Sequence, residues 1–329
     1  MSDVRRRELI LALGGAAAWP FAARAQQPAM PVIGSLNSAS PGGYASYIAE
    51  FRQSLKKAGY IEGENLGVEY RWAEGQYERL PALAAELIRR KVTLIFASGG
   101  IASALAAKAV STTVPIVFVN GSDPVKSGLV PSLNRPGGNV TGIVFLALAL
   151  TAKRVELLSE CVPDADTIGF LVNKSNPNAD YQLSDVQAAV QSIGRKAQIF
   201  VAGSRAEIAA TFANLAERHI KALAILTDPF LRTNGGYIAA LAAANRIAVI
   251  DSVREFPASG GLMSYGPSMA EAYRQAAVYV AQILTGTSPR DLPIQQSTRF
   301  ELVINLNTAK ALGLDVPPTL IARADEVIE

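Results

Sequence analysis

One cysteine and one histidine among 329 residues remove several chemistries at the outset. Disulfide-stapled domains need paired cysteines, and the usual zinc sites need several Cys or His ligands, so neither fits a lone Cys161 and a lone His219. A Cys-His or Ser-His-Asp arrangement is equally short of parts. His219 follows no strand-like run and closes an amphipathic helix beside Arg218 and Lys221, where a solvated last-turn cation is the simpler reading. Charge is scarce too: 18% of residues are charged, and 31 Lys and Arg against 28 Asp and Glu leave +3. That balance argues against a nucleic-acid partner, and 50% hydrophobic residues argue against disorder. Beyond residue 25 no stretch approaches the ~18 consecutive apolar residues of a membrane span. No G-x-G-x-x-G follows a strand there, and no G-x-x-x-x-G-K-[ST] phosphate loop is present. No catalytic residue, metal ligand or cofactor is therefore assigned. A carboxylate-based hydrolase stays open, because acidic pairs leave no dependable spacing.

What is present begins with an export signal. Arg5, Arg6 and Arg7 precede the apolar run Leu9–Ala18, and Ala23-Arg24-Ala25 offers a small-x-small cleavage site before Gln26. Arg6-Arg7-Glu8-Leu9-Ile10 also resembles a twin-arginine signal. Residues 1–25 carry +2, so a mature chain keeps a formal charge near +1. An exported chain with one cysteine has no internal disulfide. Cys161 lies near the end of an amphipathic helix over Ala152–Val162 and is expected to be a buried, inert thiol.

Apolar strand-like runs then alternate with helical patterns, the signature of parallel sheets covered on both faces. The second half repeats the first. Ile33-Gly34-Ser35-Leu36 matches Ile168-Gly169-Phe170-Leu171, the run from Val92 matches that from Ala222, and Pro115–Val119 matches the run from Ile247, at offsets of 135, 130 and 132. Three pairs in one order at a nearly constant offset predict two α/β lobes of the same topology.

In such sheets ligands bind beyond the carboxyl ends of strands, where loop amides and helix N-termini converge. The residues there are Asn37 and Ser38, Ser98-Gly99-Gly100, and Asn120-Gly121-Ser122 in the first half. In the second they are Asn176 and Asn178, Asp228, and Asp251. Two glycines between strand and helix let backbone N–H groups approach a small anion, or simply make a tight turn. Asp228 and Asp251 suit a ligand ammonium or hydroxyl; for Asp228-Pro229 the competing reading is a helix N-cap. Arg254 is a candidate cleft cation, and Tyr44, Tyr181, Phe230 and Tyr265 are candidate walls.

Ser122-Asp123-Pro124-Val125, Gly128-Leu129-Val130 and Arg135-Pro136-Gly137-Gly138-Asn139-Val140-Thr141-Gly142 resemble the signature of one group of ABC transporter substrate-binding proteins, whose members include tryptophan, phenylalanine and tyrosine binders. Asn176-Pro177-Asn178-Ala179, Asp228-Pro229-Phe230, Gly260–Gly266 and Phe300–Asn305 extend the match along essentially the whole mature chain. The resemblance implies a type I periplasmic binding protein: two Rossmann-like lobes joined by three hinge crossovers, monomeric, closing on a small molecule and delivering it to an ABC permease. It implies residues 26–145 and about 262–290 in lobe one, with about 146–261 and 291–329 forming lobe two and a hinge-crossing C-terminal segment. Its ligand-contacting loops fall on the strand ends named above. One stretch departs from the pattern: Ile143–Leu150 is unusually apolar, so a carboxylate lacking an amino group stands beside an aromatic amino acid as ligand. Two other classes are an exported α/β enzyme acting on a small organic acid and the effector domain of a regulator. The latter needs an N-terminal helix-turn-helix where the signal stands.

Overall fold

The computed structural model describes residues 30–145, 150–297 and 299–329. The expected signal and its cleavage site, and residues 146–149 of the apolar stretch, lie outside them. The chain builds two sheets. The first contains β1 (Val32–Asn37), β2 (Gly67–Trp72), β3 (Leu94–Ser98), β4 (Ile116–Asn120) and β5 (Val140–Val144). The second contains β6 (Thr167–Val172), β7 (Lys196–Val201), β8 (Ala222–Ile225), β9 (Ala248–Asp251) and β10 (Met263–Pro267). β11 (Gln295–Gln296) joins the first; β12 (Phe300–Asn305) and β13 (Glu326–Ile328) join the second.

The orders are β11-β5-β4-β3-β1-β2 and β13-β12-β10-β9-β8-β6-β7. Stripped of the late strands, both read second, first, third, fourth, fifth. The three repeat pairs found in the sequence therefore occupy the same places in the two sheets: β1 with β6, β3 with β8, β4 with β9. Among the described residues all ladders are parallel except β10 with β12. β3, β4 and β5 are buried throughout, as strands covered on both faces must be.

Helices form where the 3.6-residue period was visible. In Ala45–Lys57 the buried residues are Tyr47, Ile48, Phe51 and Leu55. Phe51 stacks on Phe96 of β3 at 4.1 Å between ring centroids. Arg205–Glu217 starts with a capping box: Ser204 accepts from the Glu207 N–H, and Glu207 accepts from the Gly203 N–H. Met269–Leu284 packs against Ala45–Lys57 and behind β4 and β5, in the first lobe. Tyr273 lies against Tyr47 and Phe96, and Arg274 pairs with Glu50 at 2.9 Å.

The chain passes between sheets three times, after β5, after β10 and between β11 and β12. Two boundaries differ from those drawn on the sequence. Met263–Pro267 belongs to the second sheet, because its register is set by pairing with β9 and β12. Gln295–Gln296 belongs to the first, held by β5. The C-terminal residues extend the edge of the second sheet, with β12 on β10 and β13 on β12.

Candidate ligand-binding cleft

Loops beyond the carboxyl ends of strands in both sheets border one cavity. In the first sheet, Asn37 ends β1, donates its side-chain N–H to Ser98 Oγ at 2.9 Å, and accepts from the Ala39 N–H at 2.8 Å. Ser38 donates to the Gly99 carbonyl. The second lobe repeats the device. Asn173, after β6, accepts from the Ser175 N–H and turns its amide to Asp228 at 3.4 Å, in the loop after β8. At the next strand ends, Asn120 Oδ1 accepts from the Ser122 N–H at 2.6 Å, and Asp251 Oδ1 accepts from the Ser252 N–H.

This separates the expected residues into two shells. Gly99, Gly100, Gly121, Ser122, Asn176 and Asn178 line the cavity. Asn37, Ser38, Ser98, Asn120, Asp228 and Asp251 do not line it; they are buried behind the lining, and their side chains hold the loops in shape. The sequence could not separate the two shells, because a polar residue after a strand serves a turn as well as a ligand.

Asp228 is the most heavily committed. It caps the helix Pro229–Thr233 by accepting from the Leu231 N–H at 2.9 Å, so the N-cap reading of Asp228-Pro229 is what the fold uses. It also accepts from Asn176 at 2.9 Å and, across the cleft, from the Tyr77 hydroxyl at 2.9 Å. Burial raises its carboxyl above the ordinary range despite these donors. Asp251 is likewise raised by burial, against the pull of its Ser252 bonds and of Arg232 and Arg154. It faces a neighbouring cavity lined also by Tyr47, Arg232 and Glu255.

Three features of the lining were not anticipated. Tyr77 was not marked, although Tyr44 was. Arg232, not Arg254, is the cleft cation. Its guanidinium lies over the rings of Tyr44 and Tyr47, 5.5 and 6.0 Å from their centroids, whereas Arg254 is spent on Glu326 at the surface. Met269, which opens the helix returned from the far end of the chain, closes one wall. Arg232 stood one turn beyond Asp228-Pro229, where the helical register places it on the same side as the cap. Of the other aromatic candidates, Tyr181 stands exposed at the rim with Lys126 over its ring, and Tyr265 packs on Phe300. Phe230 borders Gly75. Phe145, from the apolar stretch, lines the cavity.

The N-terminus of the helix Ile101–Val110 opens onto the same space. Gly99 and Gly100 have φ of 76° and 106°, and Gly100 caps the helix without a side chain, leaving the first-turn N–H groups to the cavity. The lobes are in contact around the site. Tyr47 donates to Glu255 at 2.5 Å, Arg232 donates to the Tyr44 hydroxyl at 3.4 Å, and one apolar cluster includes Tyr44 and Tyr47 with Leu231 and Phe256.

A family model described as ABC transporter substrate binding protein matches residues 40–328. Among curated proteins, the tyrosine-binding protein of Clostridioides difficile strain R20291 is 27% identical over 265 residues, spanning 80% of this chain and 75% of that one. A solved conserved domain protein of Vibrio cholerae superposes with a TM-score of 0.83 at 26% identity, covering 91% of this chain and 99% of that one. An ABC domain of Streptococcus pneumonia in complex with L-Trp shares the fold with a TM-score of 0.80 at 22% identity, over the same shares.

Proposed function

This chain belongs to the family of ABC transporter substrate-binding proteins, and we propose from that premise that it closes two lobes over a small carboxylate-bearing ligand and delivers it to a membrane permease. The ligand class is an aromatic amino acid or an aromatic or aliphatic organic acid. The observation that carries this reading is the convergence of loops from both lobes on one cavity. Bare helix amides and Ser122 lie on one side, Asn176, Asn178 and Arg232 on the other, and Tyr44, Ile101 and Phe145 form apolar walls. Backbone N–H groups at a helix N-terminus and a guanidinium recognise a carboxylate, and the walls take the hydrophobic remainder. The relative named for tyrosine binding supports the aromatic half of the class. Export, cleavage before Gln26 and action outside the cytoplasm as a monomer complete the proposal.

A differential scanning screen of amino acids and aromatic and aliphatic acids tests it. The cognate ligand at one hundred times its dissociation constant adds about 2.7 kcal/mol to stability and raises the melting temperature. A folded protein whose melting point no small carboxylate shifts would rule the reading out.

A further inference from the structure

We infer that the ligand occupies two chambers: its carboxylate lies in the cavity between the lobes, and its apolar body passes through the cleft mouth into a second, larger chamber at the rim. This rests on the transport reading above and gives its ligand a shape, an elongated carboxylate. With the lobes in contact, the inner cavity has an open volume of about 30 Å³. A single water needs roughly 10–15 Å³ on that scale, whereas a cavity of about 150 Å³ takes up a benzene molecule. The inner space therefore suits a carboxylate, with Tyr44 and Phe145 against the carbons next to it, and is too small for a ring.

The rim chamber has an open volume of about 340 Å³. It adjoins the inner cavity across Ile101, Ser122, Pro177 and Asn178, which line both. Its apolar walls come from the two lobes. Ile101 and Leu105 stand one turn apart on the helix Ile101–Val110, and Pro177 and Tyr181 belong to the second lobe. Asp123, also at this chamber, turns Oδ1 back on its own loop to accept the Val125 and Lys126 N–H groups. The Tyr181 ring is 45% exposed, with the Lys126 ammonium 5.7 Å from its centroid, so an apolar body laid between it and Leu105 is removed from water on both sides. A further space adjoins the inner cavity behind Arg232, but Asp251 and Glu255 line it. An apolar chain placed there strips water from carboxylates and gives them no hydrogen bond in return. The body of the ligand therefore leaves by the rim.

The test is chain length, titrated calorimetrically at neutral pH in three series: alkanoates from butanoate to octanoate, 2-aminoalkanoates of the same lengths, and phenylacetate to 4-phenylbutanoate. In a series that binds, affinity is expected to rise about threefold per added methylene, or roughly 80-fold from butanoate to octanoate. Leu105→Gln and Tyr181→Ala, each checked for folding by circular dichroism, are expected to cut the ratio of longest-member to shortest-member affinity about tenfold. The ratio is the readout because a variant that acts only on lobe closure weakens short and long acids alike and leaves it unchanged. Affinity that is flat or falls with length in every series that binds, or a ratio unchanged in both variants, overturns this inference and leaves the transport reading standing. Failure of every carboxylate to bind the folded protein overturns both.

Discussion

Tyr77 and Asp228 make the clearest single bond between the lobes, a hydroxyl on a buried carboxylate at 2.9 Å. A hydrogen bond to a charged group contributes about 1.5–3 kcal/mol, and this one exists only while the cleft is shut. Tyr77→Phe is therefore expected to weaken ligand binding roughly 10- to 100-fold, read by calorimetry, while each lobe keeps its own packing. The same carboxylate makes closure sensitive to pH. Burial holds Asp228 above the ordinary carboxylate range, and to the extent that closure completes that burial the closed form binds a proton more readily than the open one. Affinity for a ligand of constant charge should rise as pH falls toward the ordinary carboxylate range, and level off below it. Asp228→Asn should flatten the profile; an unchanged profile in that variant would assign the dependence elsewhere. Cys161 offers a simpler check. It is 2% exposed, and its thiol is pushed up to about 12, first by burial and then by Glu160. Alkylation by iodoacetamide at pH 8 should therefore be absent in the native protein and complete in denaturant.

At the scale of elements, the strand-to-helix turn at Gly99 shows how much of the site is backbone. A Cβ on Gly99 would lie 2.2 Å from Asn37 Oδ1 and 2.9 Å from the Ser38 nitrogen, and φ is 76°. Gly99→Ala must displace the β1 loop as well as bear left-handed strain, a loss of about 3 kcal/mol measurable by urea unfolding, with ligand binding lost alongside. The turn itself was legible in advance, because a pair of glycines between an apolar run and an alanine-rich helix marks a tight strand-to-helix connection whether or not a ligand sits on it. The paired sheets were legible for a similar reason: buried parallel strands are written as unbroken apolar runs, so their order survives in the spacing. The short late strands were not. Gln295–Gln296 has no apolar period and is a strand only because β5 offers it an edge. Nor could Met269 be placed beside Tyr44 and Arg232, since that contact depends on the second passage between lobes rather than on local pattern.

For the whole molecule, the decisive quantity is the free-energy difference between the closed state and an open one, and Gly43 sits where that difference can be changed alone. It lies in the short turn Pro41–Tyr44 of the first lobe, and a Cβ there would come within 2.7 Å of both Thr233 Cα and Thr233 Oγ1 in the second. Its backbone is outside the left-handed region, so alanine fits the turn itself without strain. The clash exists only between lobes and is relieved by hinge opening. Gly43→Ala should consequently leave the melting temperature of the ligand-free protein close to wild type while reducing ligand affinity about tenfold or more, because each binding event must now overcome the clash. Scattering should show the variant more extended than wild type at subsaturating ligand. A variant that instead unfolds more readily without ligand would mean that the Gly43–Thr233 contact holds the two lobes together as a structural interface, and that the cleft does not open on the path to binding.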